Sequence, residues 1–205
     1  MAYSDFTLAK FKAAFPVTLD ETRNLFGELA GVPPSELLQR ILTENQPLAT
    51  AIGTEKARSE FLIAPILSEV RRRLDYRVGL FSGSEFNVEP NQGLVGYCDF
   101  ILSASPEQYF ISAPVVIVIE AKNENIIGGL GQCAAAMLAA QQFNQNNNPE
   151  MTTIYGTVTS GTNWKFLILE QTTLSIDLVE YHISQIDKIL AILLQPLQRY
   201  VLANA

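Results

Sequence analysis

The chain has 205 residues, 48% of them hydrophobic and 17% charged, and a formal net charge of −7. That composition suits one packed domain with a small addition and excludes a disordered chain. The acid excess argues against capture of nucleic acid by net charge, though not against a local basic groove, and no apolar run reaches the length of a membrane span.

Residues 1–53 read as a helical N-terminal appendage. Their opening, MAYSDFTLAKFKAAFPV, lacks the basic start, apolar core and small-residue cleavage site of a secretory leader, so a cytoplasmic protein is expected. In PPSELLQRILTENQ, Ser35 caps a helix with an apolar stripe at Leu37, Leu38, Ile41 and Leu42. A second helix is expected from about Glu55 to Leu74, with Phe61, Leu62, Ile66, Val70 and Leu74 at helical spacing and Pro65 as a kink. Its last turns carry Arg71, Arg72 and Arg73, where cations suit the helix dipole. With Arg77, these make four of the 14 basic residues within seven positions, either a solvated helix end or a contact for DNA.

Strand-like runs follow in YRVGLFS, EFNVE, GLVGYCDFILS and APVVIVIEAK, separated by Gly and Asn. ENIIGGLGQCAAAMLAAQQFNQ reads as a strong helix after a glycine-rich entry that lets it approach the sheet closely, running into a polar loop with Pro149 as the stop. TTIYGTVTS, NWKFLILE and SIDLVEY supply further strands, with Trp164 packed. An amphipathic helix from about Ser184 to Tyr200 closes the chain. This order implies a three-layer α/β domain over residues 54–205, with helices flanking a central mixed sheet.

Two cysteines, Cys98 and Cys133, make no disulfide framework, and the single histidine, His182, has no Cys or His near it in sequence. All three read as structural. Any metal would be a hard one held by oxygen ligands. A carboxylate suited to that is Glu120, followed two residues on by Lys122, at the end of the five β-branched residues 115–119. Residues two apart in a strand share a face, so a carboxylate and an ammonium group emerge side by side where a buried strand reaches water. Asp99 lies in another apolar run, and pairing of the two strands would bring it to Glu120. Two carboxylates supply most of what Mg²⁺ takes from a protein, and a neighbouring lysine can orient a water or steady developing charge.

This arrangement resembles the PD-(D/E)xK nuclease superfamily, whose core runs α-β-β-β-α-β. Asp99 matches the family's first acidic position, and Glu120 and Lys122 match its (D/E)xK. Cys98 stands where the proline is usual. Glu60 is placed like the glutamate that many members carry on the first core helix. Gln132 resembles the glutamine of the following helix, although Ala136 replaces the tyrosine usual four positions later. YGTVTSGTNWKFLI resembles the strand-turn-strand in the nuclease domains of type I restriction enzyme R subunits. Across residues 54–182 the resemblance implies a restriction-endonuclease-like fold and Mg²⁺-dependent hydrolysis of DNA, with Mn²⁺ able to substitute. Asp99, Glu120 and Glu60 would bind metal, Lys122 would position water, and Gln132 would orient a ligand or phosphate. The alternative is a nuclease fold with a lapsed site, acting in binding or assembly. A homodimer or a protein partner would then supply the basic surface that one chain lacks.

Overall fold

A computed structural model describes residues 1–147 and 152–203. Pro149 lies outside the described residues. Among the described residues seven strands form one mixed sheet: β1 (Thr18–Asp20), β2 (Gly79–Glu85), β3 (Tyr97–Ser103), β4 (Val115–Ala121), β5 (Thr153–Thr159), β6 (Asn163–Glu170) and β7 (Thr173–His182). Their order is β1-β7-β6-β5-β4-β3-β2. The β4/β5 and β1/β7 pairs are parallel and the others antiparallel. The sequence expectation of a three-layer α/β architecture with a mixed sheet is met.

Among the described residues six α-helices cover the two faces: α1 (Leu8–Ala14), α2 (Glu36–Ile52), α3 (Glu55–Arg58), α4 (Ala64–Arg73), α5 (Ile126–Asn147) and α6 (Ile186–Ala203). One apolar cluster joins Leu38, Leu42, Ile66, Val70 and Leu193 to Ile117 and Ile119 of β4. The other joins Phe6, Phe11, Leu130, Cys133 and Met137 to Val118. The strand alternation therefore assigns Val118, Glu120 and Lys122 to the α5 face. All seven residues of β4 are buried. Each buried Val or Ile contributes about 1.5–3 kcal/mol, enough for the strand to carry a costly polar end.

The first 53 residues are not a purely helical appendage. Thr18–Asp20 pairs with Thr173–Ser175 as the outer strand of the sheet, α1 packs on α5, and α2 packs on α4. Helix α2 starts as expected, with Ser35 Oγ accepting from the Leu38 amide. Its cap is anchored by buried Glu69, which also holds Arg72 and Arg73. Arg71 donates to the Val78 carbonyl and lies over the Tyr76 ring, and Arg77 donates to the Val201 carbonyl. The arginine run is thus occupied by internal contacts.

Pro65 does not simply kink its helix. Between α3 and α4 the backbone widens into a π turn, Ser59–Ile63, and Pro65 then sits in the first turn of α4. Proline has no N–H for the Phe61 carbonyl four residues back, and the Asn45 side chain donates to that carbonyl instead at 3.2 Å. EFNVE is strand only to Glu85; beyond it a turn at Pro90–Gln92 leads back through a single bridge, Glu89 to Leu94.

Helix α5 connects the parallel strands β4 and β5. It begins at Ile126, so the glycines expected to precede it lie inside its first turns. Their close packing explains why helix-weakening residues stand there. A Cβ on Gly129 would come within 2.7 Å of Val158 and 3.1 Å of the Lys122 side chain, and one on Gly131 within 2.2 Å of the Thr7 backbone. Farther along, the Asn144 amide clamps the first residue of β4, accepting from Val115 N and donating to Val115 O. The helix is tied to β4 at both ends. His182 accepts from the Ser184 amide before α6, both cysteines are buried and free, and Trp164 is fully buried.

Candidate functional site

Antiparallel pairing of Phe100 with Ile119 brings the ends of β3 and β4 together. Asp99 Oδ2 accepts from the Ala121 amide at 2.7 Å, which fixes this carboxylate across the strand end. Lys122 Nζ lies 2.5 Å from Glu120 Oε1 and 3.2 Å from Gln132 Oε1. The lysine backbone amide donates to the Thr159 carbonyl, extending the parallel pairing with β5 by one residue. Four residues named from the sequence, Asp99, Glu120, Lys122 and Gln132, thus meet at one point of the molecule. Gly129 leaves room for the lysine stem to pass beneath α5.

Burial dominates the electrostatics. Glu120 is 3% exposed. Its carboxyl is pushed up to about 8, first by burial and then by the charge of Asp99, against the pull of Lys122. Burial also raises Asp99, partly offset by the Ala121 amide, by Lys122 and by a hydrogen bond with Glu120. For Lys122, burial works against the ammonium, but the charge and hydrogen bond of Glu120 outweigh it and hold the group above its ordinary value. The lysine stays charged while the two carboxyls compete for negative charge. That balance suits a position where a cation is to be bound.

Glu60 is not brought to this point. It is exposed and pairs with Lys56 at 2.7 Å. Glu55, one turn earlier, is the acidic residue of this helix whose charge acts on both Glu120 and Lys122. Sequence reasoning missed Glu55 because the resemblance pointed to Glu60 as the glutamate of this helix. The π turn at Ser59–Ile63 includes Glu60 and shifts the helical phase, so regular α-helical spacing from Glu55 does not carry through to it.

Among the described residues no group of three or more His, Cys, Asp or Glu side chains is gathered to hold a metal ion. Asp99 and Glu120 are the pair available, and the donor chemistry is that of a hard cation: two carboxylate groups, no thiolate and no imidazole. A cavity of about 640 Å³ lined by Arg23, Ile168, Glu170 and Ser175 shares no residue with the site. Among the described residues no helix is long and apolar enough to cross a membrane. No family model matches the chain, and neither a curated protein nor a solved structure matches it.

Proposed function

We propose that this chain is a metal-dependent phosphodiesterase of restriction-endonuclease-like fold that hydrolyses DNA. The observation that carries the reading is the contact of Lys122 with both Glu120 and Gln132 beside Asp99, at the end of a fully buried strand. Asp99 and Glu120 would hold Mg²⁺, or Mn²⁺ in its place. When bound, such an ion neutralises phosphate charge and acidifies water.

The protein's own groups supply the rest. Lys122, kept charged by Glu120, orients the attacking water and offsets charge that builds on phosphate oxygens. Gln132 accepts from the lysine and holds its Nζ in place, a positioning role. Glu55 adds negative charge at the edge of the site and so favours a cation there.

A second reading rests on a specific observation. No third carboxylate joins Asp99 and Glu120 closely enough to complete a metal-holding group among the described residues. A nuclease fold with a lapsed site, acting in binding or assembly, would have this feature. Thermal melting separates the two. Millimolar Mg²⁺ or Mn²⁺ is expected to raise the melting temperature of the wild type by mass action on the native state, and Asp99→Ala to abolish the rise. No rise with either ion would favour the lapsed site.

A further inference from the structure

Arg58 is the only buried arginine or lysine among the described residues, at 9% exposure. Its hydrogen-bond partners are all neutral. Nε donates to Asn123 Oδ1 at 3.2 Å, and Nη1 donates to the Ser160 carbonyl at 3.1 Å and to Thr162 Oγ1 at 3.3 Å. No carboxylate lies within ion-pair distance of it among the described residues. Burying a guanidinium without a counter-charge is costly, and a structural strut between these loops could be built from an uncharged side chain.

This arginine lines a cleft of about 310 Å³, together with Asn123, Asn125, Ser160, Thr162 and the start of α5 at Ile126. The 22-residue helix directs the positive end of its dipole at that point. Asn123 follows Lys122 directly in the chain, so the cleft adjoins the Asp99–Glu120–Lys122 site. One helix, α3, serves both, with Glu55 acting on Glu120 and Lys122 and Arg58 on the cleft. Two exposed carboxylates, Glu124 and Glu180, stand on the rim, and Glu180 accepts from Asn163 Nδ2 at 2.6 Å. Solvent screens exposed rim charges far more than it screens the buried guanidinium.

We propose that the Arg58 cleft binds a second backbone phosphate of the polynucleotide, adjacent to the one attacked beside Lys122. This rests on the phosphodiesterase reading and supplies the cationic contact that Arg71–Arg73, engaged internally, do not. With Nε and Nη1 held by Asn123, Ser160 and Thr162, Nη2 is the guanidinium nitrogen that no described residue engages, and it directs charge-assisted N–H donors to a phosphate oxygen, with the Asn125 amide and the Thr162 hydroxyl adding neutral donors nearby.

The test is binding of a fluorescein-labelled duplex oligonucleotide by anisotropy, in EDTA, over a series of NaCl concentrations. Arg58→Gln is expected to weaken binding about tenfold and to flatten the slope of log affinity against log salt by about 1, as for loss of one phosphate contact. Glu180→Gln, a surface change, is expected to tighten binding about twofold by removing a like charge from the rim. Should Arg58→Gln fail to fold, Arg58→Lys takes its place, with an expected loss of about threefold and an unchanged slope.

Wild-type affinity and slope in Arg58→Gln would overturn the proposal. So would full affinity in Arg58→Lys together with no effect of Glu180→Gln, or a wild type that does not bind the duplex. Because EDTA suspends turnover, a protein that binds through Arg58 yet cuts nothing would sink the phosphodiesterase reading and leave the phosphate site standing. A protein that cuts, but whose Arg58→Gln variant binds as tightly and with the same slope, would sink the phosphate site alone.

Discussion

Replacing Glu120 by Gln should stabilise the metal-free protein at pH 8 and do little at pH 4.5. The Glu120 carboxyl is raised from an ordinary 4.5 to about 8 in the folded chain, mainly by burial. Between those values the folded state holds a proton that the unfolded state has released. Stability contributed by the protonated carboxyl is therefore fully present below pH 4.5 and is lost as pH rises through about 8. At 1.36 kcal/mol per pH unit, that window corresponds to on the order of 5 kcal/mol as an upper bound. Gln also gives up the ion pair with Lys122, whose side chain is 25% exposed. Loss of a partly exposed pair of this kind costs about 1–2 kcal/mol, so the net gain at pH 8 is about 3 kcal/mol. Urea denaturation of both proteins in EDTA at pH 4.5 and pH 8 measures it. Equal or lower stability of Glu120→Gln at pH 8 would refute the claim that an ionised Glu120 strains the fold.

Other consequences follow from the same geometry. Gly129→Ala should cost about 1–3 kcal/mol and displace Lys122, because its Cβ would meet Val158 at 2.7 Å and the lysine stem at 3.1 Å; melting and cleavage assays together test this. Gly131→Ala should be worse for stability, since its Cβ would meet the Thr7 backbone at 2.2 Å, and it should loosen residues 1–17 toward limited proteolysis. Asn45→Ala should cost about 1 kcal/mol by leaving the Phe61 carbonyl unpaired, measured by urea denaturation. Glu60→Ala should leave cleavage within about twofold of wild type, whereas Glu55→Gln should lower it about fivefold, an effect on the order of 1 kcal/mol. The reverse ranking would return Glu60 to the site.

The parts of the fold legible in the sequence are those written in local pattern. Five β-branched residues announce β4, Ser35 announces the start of α2, and the period of two along a strand joins Glu120 to Lys122. Asp99 could be linked to them because its own strand is apolar on both sides. What escaped was set by distant partners. Thr18–Asp20 has no strand pattern of its own and becomes β1 only because β7 offers an edge. The glycines of α5 read as an entry that lets the helix approach the sheet closely, but their place inside its first turns follows from the Thr7 backbone and Lys122 pressed against them. Glu60 was misplaced for a similar reason. The π turn is a response to Pro65 and Asn45, and it alters the helical phase in a way no spacing rule foresees. Arg58 went unremarked because its lack of a counter-charge is a property of the packed neighbourhood and not of EKARSEF.

The most direct measurement is cleavage of end-labelled linear, circular and single-stranded DNA in Mg²⁺ and in Mn²⁺, with Lys122→Ala alongside. The expected result is metal-dependent cleavage of at least one substrate by the wild type, lost in Lys122→Ala while its melting temperature is kept. Intact DNA in every lane of the wild type, or equal cutting by Lys122→Ala, would contradict the claim that Asp99, Glu120 and Lys122 stand together to hydrolyse a phosphodiester.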